Sequence, residues 1–316
     1  MSDRTATTSK DQTFVAFTPE QAAQYASGRS QSYPQPLYQA ILEYHRGPKE
    51  TLLDIGTGPG KVVFDLLPHF SKAVGCDASP GMIEQANLGA QKRGLNEPGR
   101  VAFVNCPAED CVQALAALKA DAADVLTVAT AAHWLDLPAF YASAAQALRP
   151  GGTLAMWTGA SLYCHPSTPN AAAVQEALND CEDRMLLPYT TAGNRMSRAA
   201  YTTLPLPFTL PGLEGQFDEF SLIRRQWDTN GVPSSANNAD GSPGPFLKHM
   251  EIGLEDLARG LDTSSSVIRW REGNPELAGT ERDPVVATLR TVRGLTGRER
   301  VVVSPSFVLL MVRRAG

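Results

Sequence analysis

The chain has 316 residues, of which 43% are hydrophobic and 19% are charged. This length exceeds the ~100 to 200 residues of a typical domain, so we expect one large α/β core with an insertion, or two lobes. No apolar run approaches the ~18 to 20 residues that cross a bilayer, which argues against a membrane protein. The net charge of −5 argues against a nucleic-acid partner.

The N-terminal segment is polar at first and then mixed. Residues 1–13 are rich in Ser and Thr, so we expect a disordered tail and no secretory signal. Residues 14–48 combine aromatic and polar side chains, with a helix predicted from Leu37, and are expected to form a lid. The five cysteines are odd in number and lack a CxxC pair, which indicates a reducing, cytoplasmic compartment.

From Thr51 onward, short apolar runs alternate with helical stretches, a pattern typical of βαβ units and a parallel sheet. Strands are predicted over residues 51–55, 73–76, 101–104, 124–129 and 153–158. Helices are predicted over residues 60–70, 80–93, 110–119 and 138–148. We expect residues 49–160 to form a Rossmann-like cofactor-binding core.

The second half of the chain has weaker periodicity. Its predicted helices cover residues 171–184, 246–259, 264–271 and 284–293. Its predicted strands cover residues 216–227 and 301–312, and a long loop is predicted over residues 228–245. We expect residues 161–271 to form a substrate cap, and residues 272–316 to supply a final helix and strand that complete the sheet.

The strongest motif lies between the first strand and the helix that follows it. An apolar run ends in Asp54 and leads into a turn with Gly56, Gly58 and Gly60. Glycines let the backbone turn tightly and let a ligand approach without meeting a Cβ atom. The turn therefore predicts a cofactor that contains adenosine.

Two residues of this motif distinguish between cofactors. The dinucleotide fingerprint needs a glycine where the chain has Lys61. A carboxylate such as Asp54 would repel a pyrophosphate, whereas it can accept a charge-assisted hydrogen bond from the ammonium group of a methionine moiety. S-adenosyl-L-methionine is therefore the predicted cofactor, and an NAD-linked oxidoreductase is disfavoured.

The second strand predicts further cofactor contacts. Asp77 ends this strand, where a carboxylate can accept both ribose hydroxyls, and Ala78 follows it. A helix-start carboxylate is the alternative interpretation of Asp77. Met82 and Ile83 are placed to cover one face of the adenine.

The ends of the next two strands carry the remaining candidates. Ala108 and Glu109 follow the third strand and are expected near the adenine edge. Thr130 and His133 follow the fourth strand and are expected to face the methyl group and the acceptor. His133 is the candidate general base, although a histidine here can also simply bond a backbone carbonyl group.

Several other residues have two interpretations. Aromatic residues that either line an acceptor pocket or belong to the core are Tyr163, Trp157, Tyr189 and Trp227. Arginines that are either solvated or turned toward a carboxylate are Arg195, Arg198, Arg224, Arg225, Arg269 and Arg271. No metal is expected, because Cys164 and His165 lack further ligands at a recognised spacing.

These motifs resemble class I S-adenosylmethionine-dependent methyltransferases, and within them the fungal trans-aconitate methyltransferase-like branch. The motifs that carry the likeness are Tyr25-x-x-x-Arg29-x-x-x-Tyr33-Pro34, residues 53–61, Gly75-Cys76-Asp77, Ala108-Glu109-Asp110, residues 132–137 and residues 148–153. The resemblance implies a seven-stranded methyltransferase sheet whose last strand, here residues 301–312, is antiparallel. It also implies that Tyr25 and Arg29 reach the carboxylate of the methionine moiety.

The first functional hypothesis is methyl transfer to the oxygen of a small-molecule acceptor, a carboxylic acid or a secondary metabolite, with S-adenosyl-L-homocysteine as the product. A carboxylate needs no base near pH 7, whereas a phenol or an enol would use His133. The alternative is a protein of the same fold that binds S-adenosylmethionine without transferring the methyl group, as a rearrangement or cyclisation catalyst or a regulatory partner. The acceptor and the oligomeric state stay open.

Overall fold

The computed structural model describes residues 14, 17–28, 32–95, 97–228, 235–236, 243–244, 249–304 and 306–316. The predicted tail at residues 1–13 lies outside these residues. No helix in the described part of the chain is both long enough and apolar enough to span a membrane.

The helices and strands alternate through the first half of the chain. The α-helices are α1 (Pro19–Gly28), α2 (Gln35–Tyr44), α3 (Lys61–Leu66), α4 (Pro80–Lys92), α5 (Leu137–Ala147), α6 (Ala171–Asp180), α7 (Ala192–Arg198), α8 (Leu254–Asp262), α9 (Ser265–Gly273) and α10 (Pro284–Thr296). The strands are β1 (Thr51–Ile55), β2 (Lys72–Asp77), β3 (Val101–Asn105), β4 (Ala123–Ala129), β5 (Leu148–Gly159), β6 (Tyr163–Cys164), β7 (Phe217–Trp227), β8 (Ser235–Ala236), β9 (Pro243–Gly244), β10 (Met250–Gly253), β11 (Arg300–Ser304) and β12 (Phe307–Arg314). Short 3-10 segments include Ala108–Leu118 and Ala132–Trp134, and Cys181–Met185 is a π turn.

The main sheet has seven strands in the order β3-β2-β1-β4-β5-β12-β7. The first five strands are parallel, and β12 runs antiparallel to both β5 and β7. The predicted α/β class and the antiparallel last strand are therefore confirmed. Parallel strands place their carboxyl ends at one edge of the sheet, so the turns after β1, β2 and β4 meet there.

Both faces of the sheet are covered, which explains why the central strands are apolar along their length. On one face, α2 and α3 pack Leu37, Ile41 and Val62 against β1. On the other face, Phe140 and Tyr141 of α5 pack with the 3-10 segment that follows β3. The core lies on both sides of β1 and β4, directly below the turns that form the candidate site.

Two predicted elements in the second half were wrong. In place of a helix over residues 246–259, Met250–Gly253 is a strand paired with β11, and the helix begins only at Leu254. In place of one strand over residues 301–312, β11 belongs to a small sheet with β10 and β6, and β12 belongs to the main sheet. Proline has no N–H group for a strand ladder, and Pro305 stands between β11 and β12 in the sequence.

The second half is also divided differently from the predicted domain boundaries. Strand β7, expected in the cap, forms the edge of the main sheet beside β12. Helix α10, expected to complete the sheet, packs Val292 against Val174 of α6. The predicted loop at residues 228–245 lies mostly outside the described residues, but β8 and β9 within it pair with each other.

A buried carboxylate fixes the lower end of the central strands. Asp124 on β4 is fully buried and accepts hydrogen bonds from the N–H groups of Glu50 and Thr51, at 2.9 and 2.8 Å. Its other oxygen lies 2.6 Å from the guanidinium group of Arg149. Asp124 thus joins β1, β4 and the turn that begins β5.

We predict that Asp124→Ala lowers the free energy of unfolding by about 2 to 4 kcal/mol, because it leaves buried donors without an acceptor. Urea denaturation measures this change. The control is Glu281→Ala, which removes a solvent-exposed ion pair with Arg290 and should change stability little. Equal losses in the two variants would contradict the anchoring role of Asp124.

Candidate active site

The turn after β1 adopts a backbone that requires glycine. The φ angles of Gly56, Gly58 and Gly60 are +61°, +53° and +83°. A Cβ atom would come within 2.6 Å of Ala131 at Gly56 and within 2.7 Å of Phe103 at Gly60. At Gly58, however, no atom of the described residues lies within 4 Å of a Cβ position. The middle of the turn therefore faces open space that a ligand can approach.

Asp77 holds this turn from the end of β2, where the sequence placed it. One carboxylate oxygen accepts the N–H of Gly58 at 2.8 Å, and the other accepts the N–H of Ser79 at 2.9 Å. Each carboxylate oxygen has a second lone pair, so both can still accept a ribose hydroxyl. Burial raises the pKa of Asp77, and the two backbone donors oppose this shift.

Asp54 lies beneath the turn rather than beside it. Its side chain is fully buried, and one oxygen accepts a hydrogen bond from Thr127 at 2.6 Å. The other oxygen, Oδ2, receives no hydrogen bond of good geometry from any residue that the structure describes, although the hydroxyl of Thr57 adjoins the carboxylate. Burial raises the pKa of Asp54 to about 7, against the opposing effect of Thr127. The site thus contains a buried carboxyl group, Asp54, whose pKa lies near neutral pH.

The N-terminal segment covers the start of α4. Phe14, Phe17 and Tyr25 form an aromatic cluster with centroid separations of 5.3 to 6.0 Å. Phe14 also lies 5.7 Å from the ring of Trp134, which follows β4. Tyr25 is therefore near the predicted site, whereas Arg29, its predicted partner, lies outside the described residues.

The predicted adenine contacts are mostly enclosed. Met82 is 3% exposed and packs against Phe17 and Ala22 of the N-terminal segment. Ile83 and Ala108 are also buried. These side chains support the wall of the site from behind.

The two other residues predicted near the cofactor have different surroundings. Ala78 is half-buried directly after Asp77. Glu109 accepts the N–H of Asp136 at 3.2 Å, which ties the segment after β3 to the start of α5. This hydrogen bond is a structural contact and does not bear on the predicted contact of Glu109 with the adenine.

Thr130 directly follows β4 and has an unusual backbone conformation. Its φ angle is +52°, which is uncommon for a β-branched residue and marks local strain. Its N–H donates to the carbonyl oxygen of Trp157 at 2.8 Å, and its hydroxyl lies 3.2 Å from the hydroxyl of Tyr33. Tyr33 packs edge-on against Trp157 at 5.3 Å. This contact joins the N-terminal segment to the end of β4.

His133 follows in the 3-10 segment Ala132–Trp134. Its Nδ1 atom lies 2.8 Å from the hydroxyl of Tyr201, and its ring lies 4.4 Å from that of Trp134. A Cβ atom on Gly193 of α7 would meet the carbonyl oxygen of His133 at 2.6 Å. The cap therefore closes directly onto His133.

Most of the other aromatic and arginine candidates have structural roles. Trp157 and Trp227 are buried in the core, and the hydroxyl of Tyr189 accepts a hydrogen bond from Asn274. The arginines held by protein groups are Arg198 by Glu182 and Asp183, Arg224 by the carbonyl groups of Ala200 and Tyr201, Arg269 by Asn194 and the carbonyl group of Tyr189, and Arg271 by Asp262 and Asp283. These contacts argue against the idea that one of these four recognises a carboxylate ligand.

Three residues at the site were missed from the sequence. In the predicted strand over residues 124–129, Thr127 is the only polar residue after the first position. This break in an apolar strand is a signal that could have identified Thr127. Tyr33 belonged to a motif but had no assigned contact. Tyr201 lies where periodicity is weak, so no local signal marked it.

Comparisons with known proteins agree with this architecture. The Methyltransferase domain family matches residues 53–156. A probable S-adenosylmethionine-dependent methyltransferase of Saccharomyces cerevisiae is 33% identical over 259 residues, which cover 77% of this chain and 79% of that protein. A methyltransferase of Aspergillus terreus is 31% identical over 48% of this chain and 45% of its own length. A candidate type II methyltransferase from Anaeromyxobacter dehalogenans has a solved structure with a TM-score of 0.57 and 21% identity, covering 90% of this chain and 96% of that one.

The sheet order and the solved structure define an α/β methyltransferase fold. The extent of the yeast match places the chain more narrowly: it belongs to the class I S-adenosylmethionine-dependent methyltransferase family. The methyl donor of this family is S-adenosylmethionine. The residues that would hold it here are the buried acceptor Asp54, the open turn at Gly58 and the oriented carboxylate of Asp77.

We predict that Gly58→Ala weakens the binding of S-adenosylhomocysteine at least about tenfold, because the new methyl group would occupy the open face of the turn. Isothermal calorimetry measures the affinity. The matched control is Gly94→Ala, since Gly94 also has a positive φ, +69°, and open space but lies at the end of α4. Similar affinities of the two variants would show that the ligand does not approach Gly58.

Proposed function

We propose that this protein transfers the methyl group of S-adenosylmethionine to an oxygen atom of a small-molecule acceptor, a carboxylic acid or a secondary metabolite, with S-adenosylhomocysteine as the product. The observation that carries the proposal is the pair of carboxylates around the open glycine turn. Asp54 lies beneath the turn and Asp77 bonds its middle residue. Two carboxylates so close to the turn disfavour a ligand with phosphate groups there.

The donor pocket has a distinct proposed contact for each part of the ligand. The Oδ2 atom of Asp54 is the proposed acceptor for the ammonium group, and Asp77 the acceptor for the ribose hydroxyls. Tyr25 and Arg29 are the proposed contacts of the methionine carboxylate. The proposed lining of the adenine and methyl positions is Ala78, Met82, Ala108, Glu109 and Thr130.

The acceptor is proposed to bind between the end of β4 and the cap. S-adenosylmethionine supplies an electrophilic methyl group, so the protein has mainly to align the acceptor oxygen with it. Alignment of this kind can lower a barrier by about 7 to 11 kcal/mol. His133 is the proposed general base when the acceptor is a hydroxyl compound, because it lies against α7 of the cap. The branch of trans-aconitate-like enzymes and the cytoplasmic location stay predictions.

Asp54 makes cofactor binding depend on pH. Its pKa of about 7 means that the ligand-free carboxyl group is half protonated near neutrality. The contribution of neutral Asp54 to stability is complete at acid pH and is lost as the pH rises through about 7. An ammonium ligand favours the charged form, so affinity should rise with pH up to about 7 and then level off.

We therefore predict that the affinity for S-adenosylhomocysteine falls about tenfold for each pH unit below 7. Calorimetry over about pH 5.5 to 7.5 tests this, since an α-amino group stays mostly protonated over that range. In Asp54→Asn the affinity should be lower at the upper end of the range and should no longer depend on pH. A pH dependence that survives in this variant would mean that another group is responsible.

Mass spectrometry tests the function itself. The protein is incubated with S-adenosylmethionine and a panel of carboxylic acids and phenols. We expect S-adenosylhomocysteine to form only when an acceptor is present, and the acceptor to gain the mass of one methylene group. His133→Gln should slow the reaction of a phenol and leave that of a carboxylate nearly unchanged, because only the phenol must lose a proton. Products of unchanged mass, or binding without turnover, would favour the non-transferring alternative.

A further inference from the structure

An exposed phenylalanine projects from the edge of the main sheet. Strand β7 is the last strand of that sheet and, among the described strands, pairs only with β12. Its residue Phe220 is 92% exposed to solvent. A single exposed apolar side chain is ordinary on a protein surface, so its surroundings decide whether it has a role.

Phe220 lies in a β-bulge. Between Asp218 and Ile223, β7 advances by five residues, while β12 advances by two, from Met311 to Arg313. The three extra residues of β7 leave the regular ladder at the edge of the sheet. Because an edge bulge interrupts the pairing of further strands, a contact made here is expected to be closed rather than to continue into a fibre.

Hydrogen bonds fix the backbone of this bulge. The hydroxyl of Ser221 donates to the carbonyl oxygen of Asp218 at 2.6 Å and accepts the N–H of Arg313 at 2.9 Å. The carbonyl oxygen of Ser221 accepts the hydroxyl of Tyr44 at 2.7 Å, and the N–H of Phe220 donates to the carboxylate of Asp218 at 3.1 Å. The fold thus presents Phe220 to solvent on ordered backbone, so a partner that binds it has little ordering entropy to overcome.

An open groove of about 700 Å³ lies beside the bulge. Three aromatic side chains line it, Phe208, Phe217 and Phe220. Gly151, near the start of β5, lines it as well. Because β5 runs parallel to β4 and β1, the start of β5 lies at the edge of the sheet opposite the glycine turn. The groove is therefore separate from the candidate active site.

The groove carries charges of both signs. The charged side chains that line it are Glu214, Asp218, Glu219, Arg313 and Arg314. None of these five forms an ion pair with another residue in the part of the chain that the structure describes. The two arginines donate instead to backbone carbonyl oxygens. The charges of the groove are thus available to a partner, and a partner with charges of one sign would be repelled by part of it.

We propose that this groove binds a second copy of the chain about a two-fold axis, with Phe220 of each copy packed in the groove of the other. A two-fold contact uses the same surface on both copies. A surface that has both acidic and basic groups can complement itself in this way, because Glu219 of one copy then faces Arg314 of the second copy, and the reverse. The exposed aromatic anchor and the unpaired charges of the groove are satisfied by the same contact.

Analytical ultracentrifugation of the full chain at about 1 to 200 µM measures the association. We expect a species of twice the chain mass of 33.9 kDa. Phe220→Asp should raise the dissociation constant at least about tenfold, because it replaces the central aromatic anchor with a charge. The matched control is Leu187→Asp, which changes an apolar residue of the cap that is 54% exposed and should leave the dissociation constant unchanged.

An exchange of charges tests the self-complementary arrangement. Glu219→Arg places basic groups opposite each other in the dimer, and Arg314→Glu places acidic groups opposite each other, so each variant alone should dissociate at least about tenfold more readily. When the two variants are mixed, each altered residue faces one of opposite sign, and native mass spectrometry should detect a mixed dimer. Circular dichroism checks the fold of each variant, and Glu219→Arg alone tests the contact if Arg314→Glu does not fold.

Three outcomes would overturn the second copy as the occupant of the groove. These are a parent chain that stays monomeric over the whole concentration range, equal effects of Phe220→Asp and Leu187→Asp, and two folded charge variants that form no mixed dimer. None of them bears on methyl transfer, since the groove lies at the edge of the sheet opposite the candidate active site.

Discussion

The carboxylate of Asp77 joins two stretches of backbone that would otherwise be independent. By accepting the N–H groups of Gly58 and Ser79, it sets the distance between the glycine turn and the start of α4. The turn also lies close to Ala131 and Phe103, because Gly56 and Gly60 have no Cβ atom that would collide with them. The N-terminal segment packs on Met82 of α4, so its position on the candidate site also depends on where Asp77 holds the start of that helix.

Charge and burial act together at this site. Asp54 is fully buried and Asp77 is half-buried, and burial raises the pKa of both. Asp77 is compensated by backbone donors, whereas Oδ2 of Asp54 relies on the adjoining Thr57. A ligand with a positive group would supply the missing compensation. Burial makes an ionised Asp54 costly in the ligand-free chain. The same burial would make the site selective for a cationic ligand.

Local patterns predicted the first half of the fold well because each element there is coded by its own residues. β1 follows from an apolar run, and Asp77 follows from its place at the end of a strand. The helix predicted over residues 80–93 corresponds to α4, which has Ser79 as its N-cap and Pro80 at its first position. The second half depends on pairing between distant segments. The local sequence of Met250–Gly253 predicts a helix, but this segment is a strand because its backbone pairs with β11. Tyr201 could not be found for the same reason, since its contact with His133 arises only when the cap closes onto the sheet.

The position of β12 has a consequence for how the protein is made. Among the described strands, β7 pairs only with β12, and β12 lies between β7 and β5. During synthesis, β7 leaves the ribosome well before its neighbour exists, because residues 228–306 separate the two strands in the sequence. Until β12 arrives, β7 and the open side of β5 expose unpaired backbone, which is the condition under which nascent chains aggregate or recruit chaperones. Assembly of this sheet is therefore expected to be late and sensitive to the rate of translation through the cap.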